Sequence, residues 1–207
     1  YSNYNFFDHI NEYNDDRIRP YQNQNNGIIA INRNFGMKKA NGKYWAYCDD
    51  DDLWHPEKLE IQLTAMVGED IIGCGTDIAE FIHEKNIDIP TKKMKDQYLG
   101  FEELATIRSL SLSGLMVESN SYLFNESESY VTFEDFDYQL KLTYNTKKKL
   151  KLIGDYLVYY RVHPNATNIK KINTAKVFDA IEKYDECLFK KIKRKVYFKR
   201  YYQAAHK

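Results

Sequence analysis

Residues 44–56 read Y-W-A-Y-C-D-D-D-D-L-W-H-P, a short apolar run that ends in four consecutive aspartates. The run at 43–48 is too brief for a helix and rich in aromatics, which predicts a buried strand. Pro56 suits the first turn of a helix, and Leu59, Leu63 and Met66 follow at helical spacing, which predicts a helix with these three side chains on one face. The carboxylates of residues 49–52 therefore stand at the end of a strand, ahead of a helix. Like charges this close are costly unless a cation neutralises them. Hard oxygen ligands suit Mg²⁺ or Mn²⁺, which bind through one or two carboxylates plus the phosphates of a substrate. The competing reading is a solvated acidic loop that caps the helix. Asp52 fits such a cap, and that role accounts for one or two of the four.

The rest of the chain alternates between the two periodicities. Helices are expected at 5–13, 27–40, 101–110, 133–144 and from 174 to about 205. Strands are expected at 18–22, 70–74, 76–83, 114–118, 150–153 and 156–162, with Pro20 placing the first at a sheet edge. Strands alternating with helices imply a layered α/β domain with a largely parallel sheet, and in such sheets ligands sit beyond the carboxyl ends of the strands. The acidic run lies at one of these ends.

Composition excludes some classes. Lys+Arg and Asp+Glu balance at 30 each, so net charge does not point to nucleic acid. The three cysteines lack CxxC spacing, which suggests a reducing compartment and no zinc site. No apolar stretch approaches the ~18–20 residues of a membrane span. A cytoplasmic location is expected, with or without peripheral contact to a membrane. Residues 170–207 carry 12 Lys and Arg against 4 Asp and Glu. Two main readings of this basic end stay open: attachment to an anionic membrane surface, or a helix packed across the domain with a solvated basic face; nucleic-acid binding is a third, which nothing else in the chain supports.

Three blocks carry a resemblance. Residues 32–59, N-R-N-F-G-M-K-K-A-N-G-K-Y-W-A-Y-C-D-D-D-D-L-W-H-P-E-K-L, resemble the nucleotide-sugar-binding half of family 2 glycosyltransferases, which have the GT-A fold. F-E-D-F-D-Y-Q-L-K-L at 133–142 resembles that family's E-D-x-D-x-x-L-x-L helix. L-V-Y-Y-R-V-H-P-N-A-T at 157–167 resembles its L-x-Y-Y-R-x-H segment. The resemblance implies a layered α/β/α GT-A domain over 1–168, with a mainly parallel central sheet, followed by a basic helical extension over 169–207.

The resemblance also implies roles. The activity would be metal-dependent, inverting transfer of a sugar from a nucleotide-diphosphate donor, UDP-linked, to a hydroxyl on a glycan, lipid-linked or protein acceptor. Asp51 and Asp49 would hold Mn²⁺ or Mg²⁺, with His163 as a further ligand. Asp49, Asp50, Arg33, Asn34, Trp54 and Arg161 would face the donor. Asp135 would be the general base, with Glu134 as the runner-up. For His163, Arg33 and Trp54 a purely packing or solvated role is the alternative, and Glu134 with Asp135 could instead cap their helix.

The chain also departs from the pattern. The family's opening strand, helix, second strand and D-D-G-S segment are absent, so about 40 residues of a complete domain are expected to be missing. The segment before E-D, Leu123-Phe124-Asn125-Glu126, differs from the usual one. These departures support a rival reading, a catalytically impaired descendant of the fold that binds a glycan or a partner.

Overall fold

The computed structural model describes residues 10, 12–82, 87, 89–162 and 174–205. Helix α1 (Ile29–Lys39) is followed by strand β1 (Tyr44–Ala46), strand β2 (Leu53–Trp54), helix α2 (Lys58–Met66) and strand β3 (Ile71–Phe81). Strand β4 (Gln97–Leu99), helix α3 (Phe101–Thr106) and strand β5 (Met116–Glu118) come next. Helix α4 (Glu134–Thr146), strand β6 (Lys149–Arg161), helix α5 (Thr174–Tyr184) and helix α6 (Glu186–Ala205) complete the order. The helix expected at 5–13 falls mostly outside the described residues, as does the boundary expected at 168. The edge strand expected at 18–22 is irregular chain.

The strands form one sheet in the order β1-β5-β3-β6-β2, with β4 also paired to β6. The expected α/β class holds, but the sheet is mixed rather than mainly parallel. Among the described residues only β3 and β6 pair in parallel, and the other pairings are antiparallel. Alternation of strand and helix predicts direction, and β1, β3 and β6 do point the same way. It does not predict adjacency. β5 is inserted between β1 and β3, antiparallel to both. β6 gives one edge to β4 near its start and to β2 near its end.

Two long strands each replace a pair expected from the sequence. β3 runs through Gly73 and Gly75 by shifting register at three places instead of stopping. At Gly73 the backbone of β5 comes so close that a Cβ would collide with the Met116 carbonyl and Val117. β6 likewise continues through Gly154. That residue's N–H donates to Asp96 Oδ1 at 3.0 Å, and its carbonyl accepts the Met94 N–H at 3.0 Å.

Helices α3, α4, α5 and α6 cover one face of the sheet around a core that includes Leu104, Leu140, Leu152, Val177, Ile181 and Ile192. The segment expected as one long C-terminal helix is two, and Asp185 makes the break. Its carboxylate accepts the Leu188 N–H at 2.7 Å, an N-cap that starts α6 afresh. Asp137, fully buried in α4, accepts the Tyr184 hydroxyl at 2.9 Å and ties the C-terminal helices to the rest.

Helix α2 covers the opposite face, over a smaller cluster of Met66, Ile71, Cys74, Met116 and Ile153. Its orientation corrects the sequence reading. Leu59 and Leu63 are 41% and 43% exposed, whereas Lys58 and Gln62 are fully buried beside Met66. Hydrogen bonding makes this possible. Lys58 Nζ donates to Gln62 Oε1 at 2.7 Å and lies 3.9 Å from the Trp54 ring centroid. Gln62 Nε2 donates to the carbonyls of Gly114 (2.8 Å) and Cys74 (3.2 Å).

Candidate active site

The acidic run turns sharply between β1 and β2. The Asp52 N–H donates to the Asp49 carbonyl at 3.2 Å, which closes the turn. The four side chains then diverge. Asp50 is exposed, Asp49 and Asp51 are half-buried, and Asp52 is buried. Asp52 Oδ1 accepts the Arg161 N–H at 3.1 Å, and Oδ2 is buried with no partner among the described residues. Burial raises the Asp52 carboxyl above the ordinary range, against the pull of Ser113 and of the Arg161 N–H. Asp52 is thus bonded to the end of β6, and α2 starts without a side-chain cap.

Two elements hold this turn in place. Arg161, at the end of β6, donates from Nε to the Asp51 carbonyl at 2.9 Å. Ser113 accepts the Asp49 N–H on its Oγ at 3.1 Å and the Trp54 Nε1–H on its carbonyl at 2.8 Å. Sequence reasoning missed Ser113. Its only signal is the Ser-Gly pair that precedes β5, and an isolated serine carries no pattern. Trp54, expected either as a wall of the sugar site or as packing, has the Lys58 ammonium against its ring.

The second carboxylate pair begins α4. Thr132 has φ 70, a left-handed conformation that is costly for a β-branched residue and typical of functional turns. Glu134 is buried, and its Oε2 accepts the Phe133 N–H at 2.9 Å. Asp135, half-buried, accepts the Phe136 N–H at 2.7 Å. Burial, and then the neighbouring Glu134 carboxylate, push the Asp135 acid up to about 6, while the Phe136 N–H and Arg33 oppose the shift.

One side chain joins the two pairs. Arg33, on α1, donates from Nη1 to Glu134 Oε1 at 2.6 Å and from Nη2 to Asp49 Oδ1 at 3.0 Å. Its neighbour Asn34 is buried and closes a reciprocal pair with Phe124, accepting the N–H at 2.8 Å and donating to the carbonyl at 3.0 Å. Asn34 also donates to Glu126 at 2.8 Å. Helix α1 therefore fixes the acidic turn, the 124–126 loop and the start of α4 together. Of the residues expected at a site, Arg33, Asn34, Asp49, Asp51, Glu134, Asp135, Trp54 and Arg161 all belong to this one region. Asp50 points to solvent, and His163 lies outside the described residues.

The model for glycosyl transferase family 2 matches residues 2–124, well over half of the chain. The chain belongs to glycosyl transferase family 2. As a family 2 glycosyltransferase it has curated relatives of matching kind. An uncharacterized glycosyltransferase of Rickettsia typhi is 25% identical over 80% of this chain and 54% of its own length. The Escherichia coli UDP-Glc:alpha-D-GlcNAc-diphosphoundecaprenol beta-1,3-glucosyltransferase WfaP is 26% identical over 80% of this chain and 64% of its own. Among solved structures, S. aureus TarS 1-349 superposes with a TM-score of 0.62 at 14% identity. That match covers 89% of this chain and 55% of TarS 1-349, and it places the glycosyltransferase in the GT-A fold. The same TarS fragment in complex with UDP superposes with a TM-score of 0.60. The chain thus spans between about half and two thirds of the length of these proteins.

Among the described residues, no three His, Cys, Asp or Glu side chains converge as a ready-made metal site. The donor set nevertheless fits a hard divalent cation, because such ions take one or two carboxylates and complete their shell with water and substrate phosphate. The unpartnered Asp52 oxygen in the turn marks unsatisfied acceptor capacity at the same place. No described helix is long and apolar enough to cross a membrane.

Proposed function

We propose that this glycosyltransferase transfers a sugar from a UDP-linked donor to an acceptor hydroxyl, with inversion and with a divalent cation, and that Asp135 is the general base. The observation that carries the reading is the bridging of Asp49 and Glu134 by Arg33, which brings the acidic turn and the Asp135 turn into one site. The UDP-Glc in the name of WfaP and the UDP in the TarS complex support the choice of donor. The diphosphoundecaprenol in the name of WfaP supports a lipid-linked acceptor, for which the basic end of the chain would offer a membrane-facing surface.

Asp49 and Asp51 would hold Mn²⁺ or Mg²⁺ with the donor diphosphate. The cation would neutralise the charge that grows on the leaving nucleoside diphosphate. Ser113 and Arg161 hold the main chain of this turn, so Asp49 and Asp51 keep their positions before the donor binds. Asp135 takes the proton of the acceptor hydroxyl as its oxygen attacks the anomeric carbon from the face opposite the departing diphosphate. Its raised pKa suits this task, because a base close to the working pH transfers protons most efficiently. Glu134 is already committed to Arg33 and to the Phe133 N–H, and so acts as a holder rather than a base.

The test is a thermal-shift titration with a panel of nucleoside diphosphates, each with and without Mn²⁺. A ligand at 100-fold over its dissociation constant stabilises by about 2.7 kcal/mol. A Mn²⁺-dependent shift for UDP is expected. A shift for a different base would replace the donor assignment, and no shift with any nucleotide would favour the binding-module reading.

A further inference from the structure

We infer that Arg33 is a positioning residue that locks the base-bearing turn of α4 to the acidic turn, rather than a ligand of the nucleotide. The inference deepens the proposed function and rests on its assignment of Asp135. Arg33 is only 12% exposed, and its two terminal nitrogens are directed to two carboxylates from distant parts of the chain, Glu134 and Asp49. A guanidinium presents its donors in a fixed plane, so two simultaneous contacts fix the distance and the angle between the groups it joins. Its guanidinium carbon lies over the Phe124 ring, 5.6 Å from the centroid, and Asn34 pins that same residue through its main chain.

The consequence falls on Asp135. It adjoins Glu134 in sequence, follows the strained Thr132 and lies in the first turn of α4. The charged groups that face it are Glu134 from its own helix, Arg33 from α1 and Asp49 from the turn after β1. Arg33 is the one cation among them. Removing it leaves three carboxylates together and frees the turn that aims the base. The chemistry should then suffer through misalignment, since an error of ~1 Å costs about 100-fold in rate.

The experiment uses Arg33→Gln and Arg33→Lys with three readouts: Mn²⁺-dependent UDP affinity by thermal shift, kcat and KM for UDP-glucose turnover, and the carboxyl titration of Asp135 by ¹³C NMR. For Arg33→Gln we expect UDP affinity to hold, kcat to fall about 100-fold at constant KM, and the Asp135 midpoint to rise. Arg33→Lys should restore the midpoint and little of kcat, because a point charge does not reproduce the planar fork. A loss of UDP affinity of about tenfold or more, with the Asp135 titration unmoved, would overturn the inference and make Arg33 a donor ligand. If the wild-type protein binds no nucleotide, the proposed donor fails separately. The backbone amide chemical shifts of Glu134 and Asp135 then decide, and shifts unmoved in Arg33→Lys, which keeps the charge but loses the fork, sink the positioning role.

Discussion

The two carboxylate pairs on either side of Arg33 are held in opposite ways. Asp49 and Asp51 sit in a turn fixed through its main chain, by Ser113 below and Arg161 beside it, with their carboxylates half-buried. Glu134 and Asp135 begin a helix, where one is consumed by an ion pair and the other is pushed up by burial. A charge kept near water can wait for a cation. A carboxylate raised towards neutral pH can wait for a proton. On the proposed roles, the same residue type would serve two tasks through its different partners.

Substituting one member of each pair separates the two tasks most strongly. Asp135→Asn should lower turnover by about 100- to 10,000-fold, the usual worth of a general base, and leave Mn²⁺-dependent UDP binding intact. Intact turnover in this variant would remove the base assignment. Asp51→Asn should do the reverse in the binding assay and abolish the part of the UDP-induced stabilisation that needs Mn²⁺, read as a thermal shift. The wild-type pH profile sharpens the contrast. Asp135 accepts a proton only when ionised, so kcat should fall as pH drops through about 6 and level off above it. An acid limb near the ordinary carboxylate range would show that the burial of this residue has no consequence for the chemistry.

Smaller effects test the frame that holds the two pairs together. Asn34→Ala leaves the Phe124 N–H and carbonyl without their partner and should cost about 1–3 kcal/mol in chemical denaturation. Leu63→Ser, on the exposed side of α2, should change stability by no more than about 0.5 kcal/mol. A loss of several kcal/mol at Leu63 would mean that the face of α2 seen here is not the one used in solution.

How much of this was legible depends on what each feature rests upon. Aspartates 49–52 at a strand end, and the E-D start of α4, were readable because they are local patterns. The direction of β1, β3 and β6 was readable because helices separate them. The insertion of β5 was not, since it depends on which edge is free once the chain has folded. Helix α2 was misoriented because periodicity counts apolar residues, and Lys58 and Gln62 are buried through hydrogen bonds that no periodicity records. Ser113 was invisible for a related reason, as its value lies in two hydrogen bonds, one accepted on its hydroxyl and one on its carbonyl, made across 64 and 59 residues of sequence.

The buried lysine has an optical consequence. Desolvation lowers Lys58 to about 8, and its ammonium rests on the ring of Trp54, two residues after the acidic turn. A cation against an indole changes the energy of its excited state. With Trp45, the other of the two tryptophans, replaced by Phe, the emission of Trp54 should therefore shift as pH is raised through about 8. Its response to Mn²⁺ and UDP at constant pH would then follow donor binding in real time, without any added label.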